Sequence, residues 1–474
     1  MLNKKVVAGS LSLALLAAPS LFGLEVASAA AYSKAKKSSH SSPSFTISGA
    51  VNAAVRHVDT GFGDCETCYG YGGRDSTNVL VGQTYSDDEY SHIQATAKAS
   101  SGQFKLTGVL RLAARTNGFG RYTQDNEFVA SSFGTTTNGQ DEDVYVRAAD
   151  VRLKHNTFGE LRIGKASTAT GESTKASFAK TGYLRGDVTN TYNVRVGITN
   201  AGSAAALKTS TNHWDTSGGS FGLYGLNYSQ NRIEYSAPEF FKGLRLSTEY
   251  VSQSDVDSSL TGTTSNATNF PKFDSHGYAV SYKGSMSGMD FDLRGGYTSR
   301  AFEPGYRGGA SFSIDPAQAK WHLRGTGASV AAKYMGFDGS FAYSKLSPKG
   351  LNGNLNLLGV AQTDNSANAA ATFNYGHKAA VLTAYELGYS FDLPEVGPLH
   401  INGEMSESKD YRNDGSKSTL SGVRVAHDMG PVRLTASYHN QSFKGFKVKR
   451  FDSAGTFAAP SDVKTFIFGA YYKF

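Results

Sequence analysis

Past residue 24 the 474-residue chain contains no apolar run of about 18 residues, which excludes a transmembrane helix from the rest of the sequence. Catalytic signatures are missing as well. There is no GxSxG, no HExxH and no phosphate-binding glycine loop ahead of a helix, so the motifs support no enzyme. The 11 histidines are scattered and form no ligand cluster, and no metal or cofactor is expected. No tandem repeat is visible, which argues against a solenoid. Charged residues make up only 18%, and the formal charge of +7 is too mild and too evenly spread to point to nucleic acid. Proline is limited to 11 residues and cysteine to 2. Glycine (53), Phe (28) and Tyr (26) are plentiful, a composition that suits strands half facing lipid and half facing water.

The amino terminus reads as an export signal. Lys4 and Lys5 precede an apolar stretch, residues 6–24, interrupted by Gly9, Pro19 and Gly23, and Ala27-Ser28-Ala29 supplies a small-x-small cleavage site. Residues 1–29 are therefore set apart as a signal peptide. Their removal takes Lys4, Lys5 and Glu25, leaving 45 basic against 39 acidic residues, a charge of +6. Residues 30–44, rich in Ser and Lys without apolar periodicity, read as a flexible periplasmic leader.

From residue 45 onward the signal is alternation. In the last ten residues Phe466, Phe468, Ala470, Tyr472 and Phe474 share one face, with Thr465, Ile467, Gly469, Tyr471 and Lys473 on the other. About ten alternating residues are the length of a membrane-crossing strand. Sixteen such segments occur: 45–56, 90–99, 104–116, 143–155, 160–166, 231–240, 244–253, 276–284, 290–301, 326–335, 338–346, 380–393, 399–407, 418–427, 432–441 and 463–474. Short connections holding Gly or Pro, such as 100–103, 285–288, 336–339 and 428–431, alternate with long ones. Seven short and eight long connections put both termini on one side, the plan of an outer-membrane barrel with short periplasmic turns and long external loops. The expectation is an all-β fold: a transmembrane antiparallel β-barrel of 16 strands over residues 45–474, its first and last strands paired, in the outer membrane of a Gram-negative bacterium. An 18-strand alternative would add residues 191–199 and 220–228.

Three stretches resemble the trimeric general diffusion porins of Gram-negative bacteria: FGELRIGK (158–165), NRIEYSAPEFFKGLRLSTEYV (231–251) and the closing TFIFGAYYKF. The resemblance implies a sixteen-stranded barrel, a homotrimer among outer-membrane lipids, and a third external loop, residues 167–230, folded into the pore. It also implies that Phe474 marks the end read by the barrel-insertion machinery. The Pro-Glu-Phe-Gly-like sequence that many members carry in that loop is absent here.

Taking the apolar face of each strand as lipid-facing leaves the intervening residues to face water. This phase puts Arg56, Lys98, Lys105, Arg111, Arg115, Arg147, Arg152 and Arg162 in the lumen on the first five strands. The apolar phase slips near Ala148 and Ala149, so Arg147 and Arg152 need a β-bulge to share a face. Later strands mix Glu234, Glu249, Glu386 and Glu404 with Arg232, Arg245, Arg294, Arg424 and Arg433. A basic arc facing an acidic or mixed one sets a transverse field that orients dipolar solutes and biases ion entry. Arginines merely solvated, or paired with neighbours, are the plainer account of the same residues. If the third loop folds inward, Glu172 and Asp187 are the anions opposed to the basic wall; if not, they belong to a solvated surface loop.

The function expected is passive diffusion of small hydrophilic solutes and ions. A solute-selective, anion-preferring porin is the nearest alternative, and a plugged surface adhesin or structural barrel is one of another class. Cys65 and Cys68 in the first external loop are expected to form a small disulfide in an oxidising compartment. Thioredoxin-like chemistry needs a strand-helix unit that is missing, and a metal site would need two more ligands, for which only His57 and His92 lie near in sequence. Mass spectrometry of oxidised protein should find the two thiols bonded within one chain; two free thiols would reject the pairing.

Overall fold

A computed structural model of the chain describes residues 40–59, 77–82, 91–115, 122–123, 143–179, 181, 194–195, 230–253, 273–302, 321–349, 380–409, 417–444, 448–449, 457–458 and 462–474. Sixteen strands form the barrel wall. They are β1 (His40–Asp59), β2 (His92–Ser101), β3 (Phe104–Arg115), β4 (Asp143–His155), β5 (Gly159–Ala166) and β6 (Gln230–Ser236). Next come β7 (Leu244–Gln253), β8 (Phe273–Met286), β9 (Met289–Phe302), β10 (Trp321–Tyr334) and β11 (Phe337–Lys349). The last are β12 (Ala380–Leu393), β13 (Gly397–Lys409), β14 (Lys417–Met429), β15 (Val432–Lys444) and β16 (Val463–Lys473). Each pairs antiparallel with its sequence neighbours, and β1 pairs with β16 from Ala50↔Lys473 to Asp59↔Lys464, closing the sheet.

Strand β1 begins at His40, inside the segment read as leader. Its lower half pairs with β2, while its upper half pairs with a short strand, Thr77–Gly82, that continues the line of β2. The strand expected to run to residue 240 stops at Ser236. Ala237 still donates to Leu246 O at 2.8 Å, but Pro238 has no N–H to extend the ladder. Of the pair behind the 18-strand alternative only Val194–Arg195 is described, and it lies outside the wall. Val194–Arg195 pairs in parallel with Tyr122–Thr123 in a separate two-stranded sheet, and residues 220–228 lie outside the described residues.

The periplasmic turns explain themselves from their residues. At Ser287-Gly288 and Met335-Gly336 both central residues have positive φ (51° and 81°, 47° and 85°). That is the type I′ hairpin, whose twist matches the flanking strands. Glycine takes the second position without strain; Ser287 and Met335 hold the first because the flanking Met286↔Met289 and Tyr334↔Phe337 pairs fix the register.

Burial is inverted relative to a soluble protein. Phe45, Ile47, Val51, Val55, Tyr278 and Phe468 lie on the outer face and are exposed, whereas Asn52, Glu234, Glu249, Asp292 and Asn402 are buried. On β4, Val144 and Val151 are 72% and 47% exposed although seven residues apart, an odd step that one strand cannot make without a slip. The slip is a register shift opposite Arg111 and Leu112: Arg111 pairs with Ala148, Leu112 with Val146, and Arg147 is the extra residue.

The carboxyl terminus seals the cylinder. Phe474 N–H donates to Gly49 O at 3.1 Å, and Gly49 N–H donates to Phe474 O at 3.0 Å. A Cβ at residue 49 would lie 2.5 Å from Phe474 Cζ, so the ring needs a glycine beneath it. Phe474→Asp should lower the amount of protein inserted in the outer membrane, because it places a charge where an apolar ring meets the bilayer edge. Insertion equal to the unmodified chain, measured by membrane fractionation, would show the ring to be dispensable.

Candidate functional site

The segment after β5 turns into the barrel. A single 3-10 turn, Gly171–Thr174, lies within residues 167–179, and these residues pack on the inner wall of β7 to β12. Small side chains make this possible: Thr168, Thr170, Ser173 and Ala176 are almost completely buried. The wall beneath is cleared to match. A Cβ at Gly277 would come within 2.7 Å of Thr170 Cγ2, and one at Gly296 within 2.8 Å of Ser173 Cβ.

Polar anchors pin the segment. The Glu249 carboxylate on β7, 3% exposed, accepts Ala169 N–H at 2.8 Å and the Thr170 hydroxyl. Arg294 Nη1 on β9 donates to Glu172 O at 3.1 Å and to its carboxylate at 3.3 Å. Ser329 on β10 donates to Ser173 O at 2.8 Å and accepts Ala176 N–H at 2.9 Å. Ser177 donates to Glu386 on β12 at 2.7 Å.

Strands β2 to β5 carry the basic arc. Arg152 and Arg162 are direct cross-strand partners, and each aims Nε at one oxygen of Asp150 at 2.7 Å. Asp150 is buried, and its carboxylate keeps two like charges side by side. Gly164, at φ 124°, lies opposite Asp150, where a Cβ would meet Ala149 O at 2.2 Å. Arg111 donates from Nε to Gln94 Oε1 at 2.7 Å, which orients its guanidinium from the neighbouring strand. Arg147 occupies the bulge, half-buried. Lys98, Lys105 and Lys154 are exposed toward the periplasmic mouth.

Not every expected site residue joins this arc. Glu172 pairs with Arg294 at 3.3 Å and Lys175 at 3.3 Å, on the side of the barrel where the segment is pinned. Backbone positions of Arg56 (opposite Ile467) and Arg115 (opposite Asp143) lie in the wall, but their side chains lie outside the described residues. Asp187, Cys65 and Cys68 also lie outside them.

Between the two regions sits a charge network, buried at Arg232 and Glu234 and open to water at Arg245. Arg232 Nη2 meets Glu234 at 2.9 Å and also donates from Nη1 to Ala166 O, holding the end of β5. Arg245 bridges Glu160 at 3.1 Å and Glu234 at 3.7 Å. These contacts offset the direct cross-strand opposition of Glu234 and Glu249. Sequence reasoning placed Glu249 and Arg294 on the lumen face but missed them as loop anchors, and it missed Asp150 entirely. Asp150 had a signal: it stands two residues from Arg152, hence on its face.

A family model for Gram-negative porins matches residues 13–446. The chain belongs to the Gram-negative porin family. Among curated proteins none matches the sequence. Solved structures similar to this porin include an anion-selective porin from Comamonas acidovorans, with 13% identity and TM-score 0.51 over 91% of this chain and 100% of that one. Another is Salmonella typhi OmpF in complex with daunomycin, with 14% identity and TM-score 0.48 over 91% and 97%. A third is the trimer form of Vibrio cholerae OmpT, with 12% identity and TM-score 0.48 over 92% and 100%. The porin is an outer-membrane channel for passive diffusion, and its family and fold are those of a channel rather than an enzyme.

The anchors predict how the porin responds when one is removed. Glu249→Leu strands Ala169 N–H and the Thr170 hydroxyl, each worth about 1–3 kcal/mol when left unsatisfied in a buried place. Single-channel recordings should then show larger or noisier openings than the unmodified porin. Glu249→Gln keeps an acceptor oxygen and should behave close to the unmodified porin. Identical traces for the Leu variant would mean that the other anchors suffice.

Proposed function

We propose that the porin passes small hydrophilic solutes and ions through a water-filled lumen, with no chemical step and no energy input. The narrowest passage lies between the pinned segment on β7 to β12 and the arginines of β2 to β5. One observation carries this reading: residues 167–179 lie on one arc of the inner wall, and Arg111, Arg147 and Arg152 stand on an arc that these residues do not touch. Arginine stays charged at any physiological pH, so the field across the passage persists over that range.

A second reading, anion preference, is favoured by the lumen carboxylates of the basic arc. Asp150 is held by two arginines and Glu160 by Arg245. Neither is left to attract cations.

A homotrimer is the assembly we infer. The outer face of β1 to β3 carries small residues such as Ala53, Ala95, Ala97 and Gly108, where another protein surface can approach closely. Tyr250, Tyr278, Tyr297, Tyr385 and Tyr389 mark the outer face of β7 to β12, as suits the bilayer interface. Native mass measurement in mild detergent should give three chains, and monomer alone would count against this.

Selectivity is tested by Arg111→Gln combined with Arg115→Gln, read as reversal potential across a salt gradient. Loss of two positive charges should move the permeability ratio toward cations, most at low salt, where the Debye length reaches about 30 Å. An unmoved reversal potential would place these residues away from the narrowest point. Absence of conductance in the unmodified protein would favour a plugged barrel.

A further inference from the structure

At the periplasmic mouth of the basic arc stand three lysines that form no ion pair among the described residues. Lys105 on β3 and Lys154 on β4 are direct cross-strand partners. Lys98 on β2 pairs with Thr107, two residues along β3 from Lys105 and on the same face. Direct partners have Cβ atoms about 4.5–5.5 Å apart and diagonal ones about 7–8 Å, so three ammonium groups on flexible stems can converge on one point. All three side chains are exposed, and none forms an ion pair among the described residues.

The acid placed to neutralise them is engaged elsewhere. Glu160 is the cross-strand partner of Lys154, yet its carboxylate lies 3.1 Å from Arg245. Asp150, on β4 four residues from Lys154, is clamped by Arg152 and Arg162. The opposite side of the mouth is built differently. There Lys283 meets Asp292 at 3.6 Å, and Lys333 is flanked in register by Asp290 and Asp338. Like charges directly opposed across a strand pair are destabilising, and among the described residues the one carboxylate directly opposite, Glu160, is shared with Arg245.

We propose that Lys98, Lys105 and Lys154 form an anion site in the periplasmic vestibule, and that its ligand is a solute bearing a dianionic phosphoryl group. This rests on the channel reading above. A phosphoryl group presents three oxygens in a tetrahedral array, which suits three independent point charges. A carboxylate presents two oxygens in a plane, which suits the fork of an arginine instead. The nearest arginine, Arg152, has its Nε committed to Asp150. The site concentrates such solutes at the inner mouth and makes the channel asymmetric toward them.

The test is block of chloride current by inorganic pyrophosphate, added separately to each side of a planar bilayer holding oriented channels. Pyrophosphate on the periplasmic side should half-block the unmodified porin at a concentration about tenfold lower than it does the variant Lys98→Gln/Lys105→Gln/Lys154→Gln, a difference of about 1.4 kcal/mol in binding. Lys283→Gln, on the paired side of the mouth, should leave the block as it is in the unmodified porin. Equal half-blocking concentrations for the triple variant and the unmodified porin would overturn the site. Succinate blocking as strongly as pyrophosphate would overturn the phosphoryl assignment. Each variant's chloride conductance shows that it has folded and opened, and an unmodified porin that does not conduct would fail the channel reading rather than the lysine site.

Discussion

Every backbone N–H and C=O in the hydrocarbon layer must find a partner within the protein, because the lipid offers none. The pairing of β1 with β16 meets that demand by removing the sheet's two edges. The rest of the architecture follows from it. Closure gives each strand an inside and an outside, and period two assigns every residue to one of them. A single slip would turn the apolar face of β4 into the water, and the structure absorbs it at Arg147 with one extra residue rather than with an exchange of faces. Phe474 is held by two backbone hydrogen bonds over Gly49, so it belongs to the ladder that closes the barrel.

Sending apolar residues outward sends charge inward, and the two arcs of the lumen handle it differently. On β6 and β9 charges are paired out of water or nearly so: Arg232 with Glu234, Arg294 with Asp292 at 2.7 Å. Such pairs add little net stability, because removing two ions from water costs several kcal/mol each, but losing one partner is costly. Their value here lies in position. Arg294 holds Glu172, and Arg232 holds the carbonyl of Ala166 where the chain leaves the wall. The pairs thus fix the path of the segment that lies on the inner wall.

Strand phase was legible in the sequence because the two faces meet different solvents. Phe466, Phe468 and Tyr472 are exposed while Thr465, Ile467 and Tyr471 are buried, as alternation required. The bulge was legible from the broken phase around Ala148. Strand ends were less so: β10 and β11 run past the apolar pattern at the external end, where hydrogen bonding between neighbours continues after lipid contact stops. The site was half legible. Lumen arginines follow from phase, but their partners do not. Glu172 goes to Arg294, 122 residues away, because the path of a loop through three dimensions decides it. Gly277 and Gly296 carry no sequence signal at all. They look like any strand glycine until Thr170 and Ser173 are seen lying where a Cβ would be.

Donor and acceptor chemistry accounts for the side of the barrel the segment occupies. A segment laid on the wall brings backbone N–H groups that need acceptors, here those of Ala169 and Ala176. Arginine and lysine have donors only. Among the described residues the basic arc offers one buried carboxylate, Asp150, and two guanidinium groups already occupy it. The wall of β7 to β12 offers Glu249 and Glu386 as acceptors and Ser329 as both donor and acceptor, with glycines between them to admit the backbone. The segment therefore docks where acceptors are, and residues 167–179 do not lie on the donor-rich arc. The placement of the segment and the electrostatic asymmetry of the lumen are thus one consequence of which residues in the wall can accept a hydrogen bond.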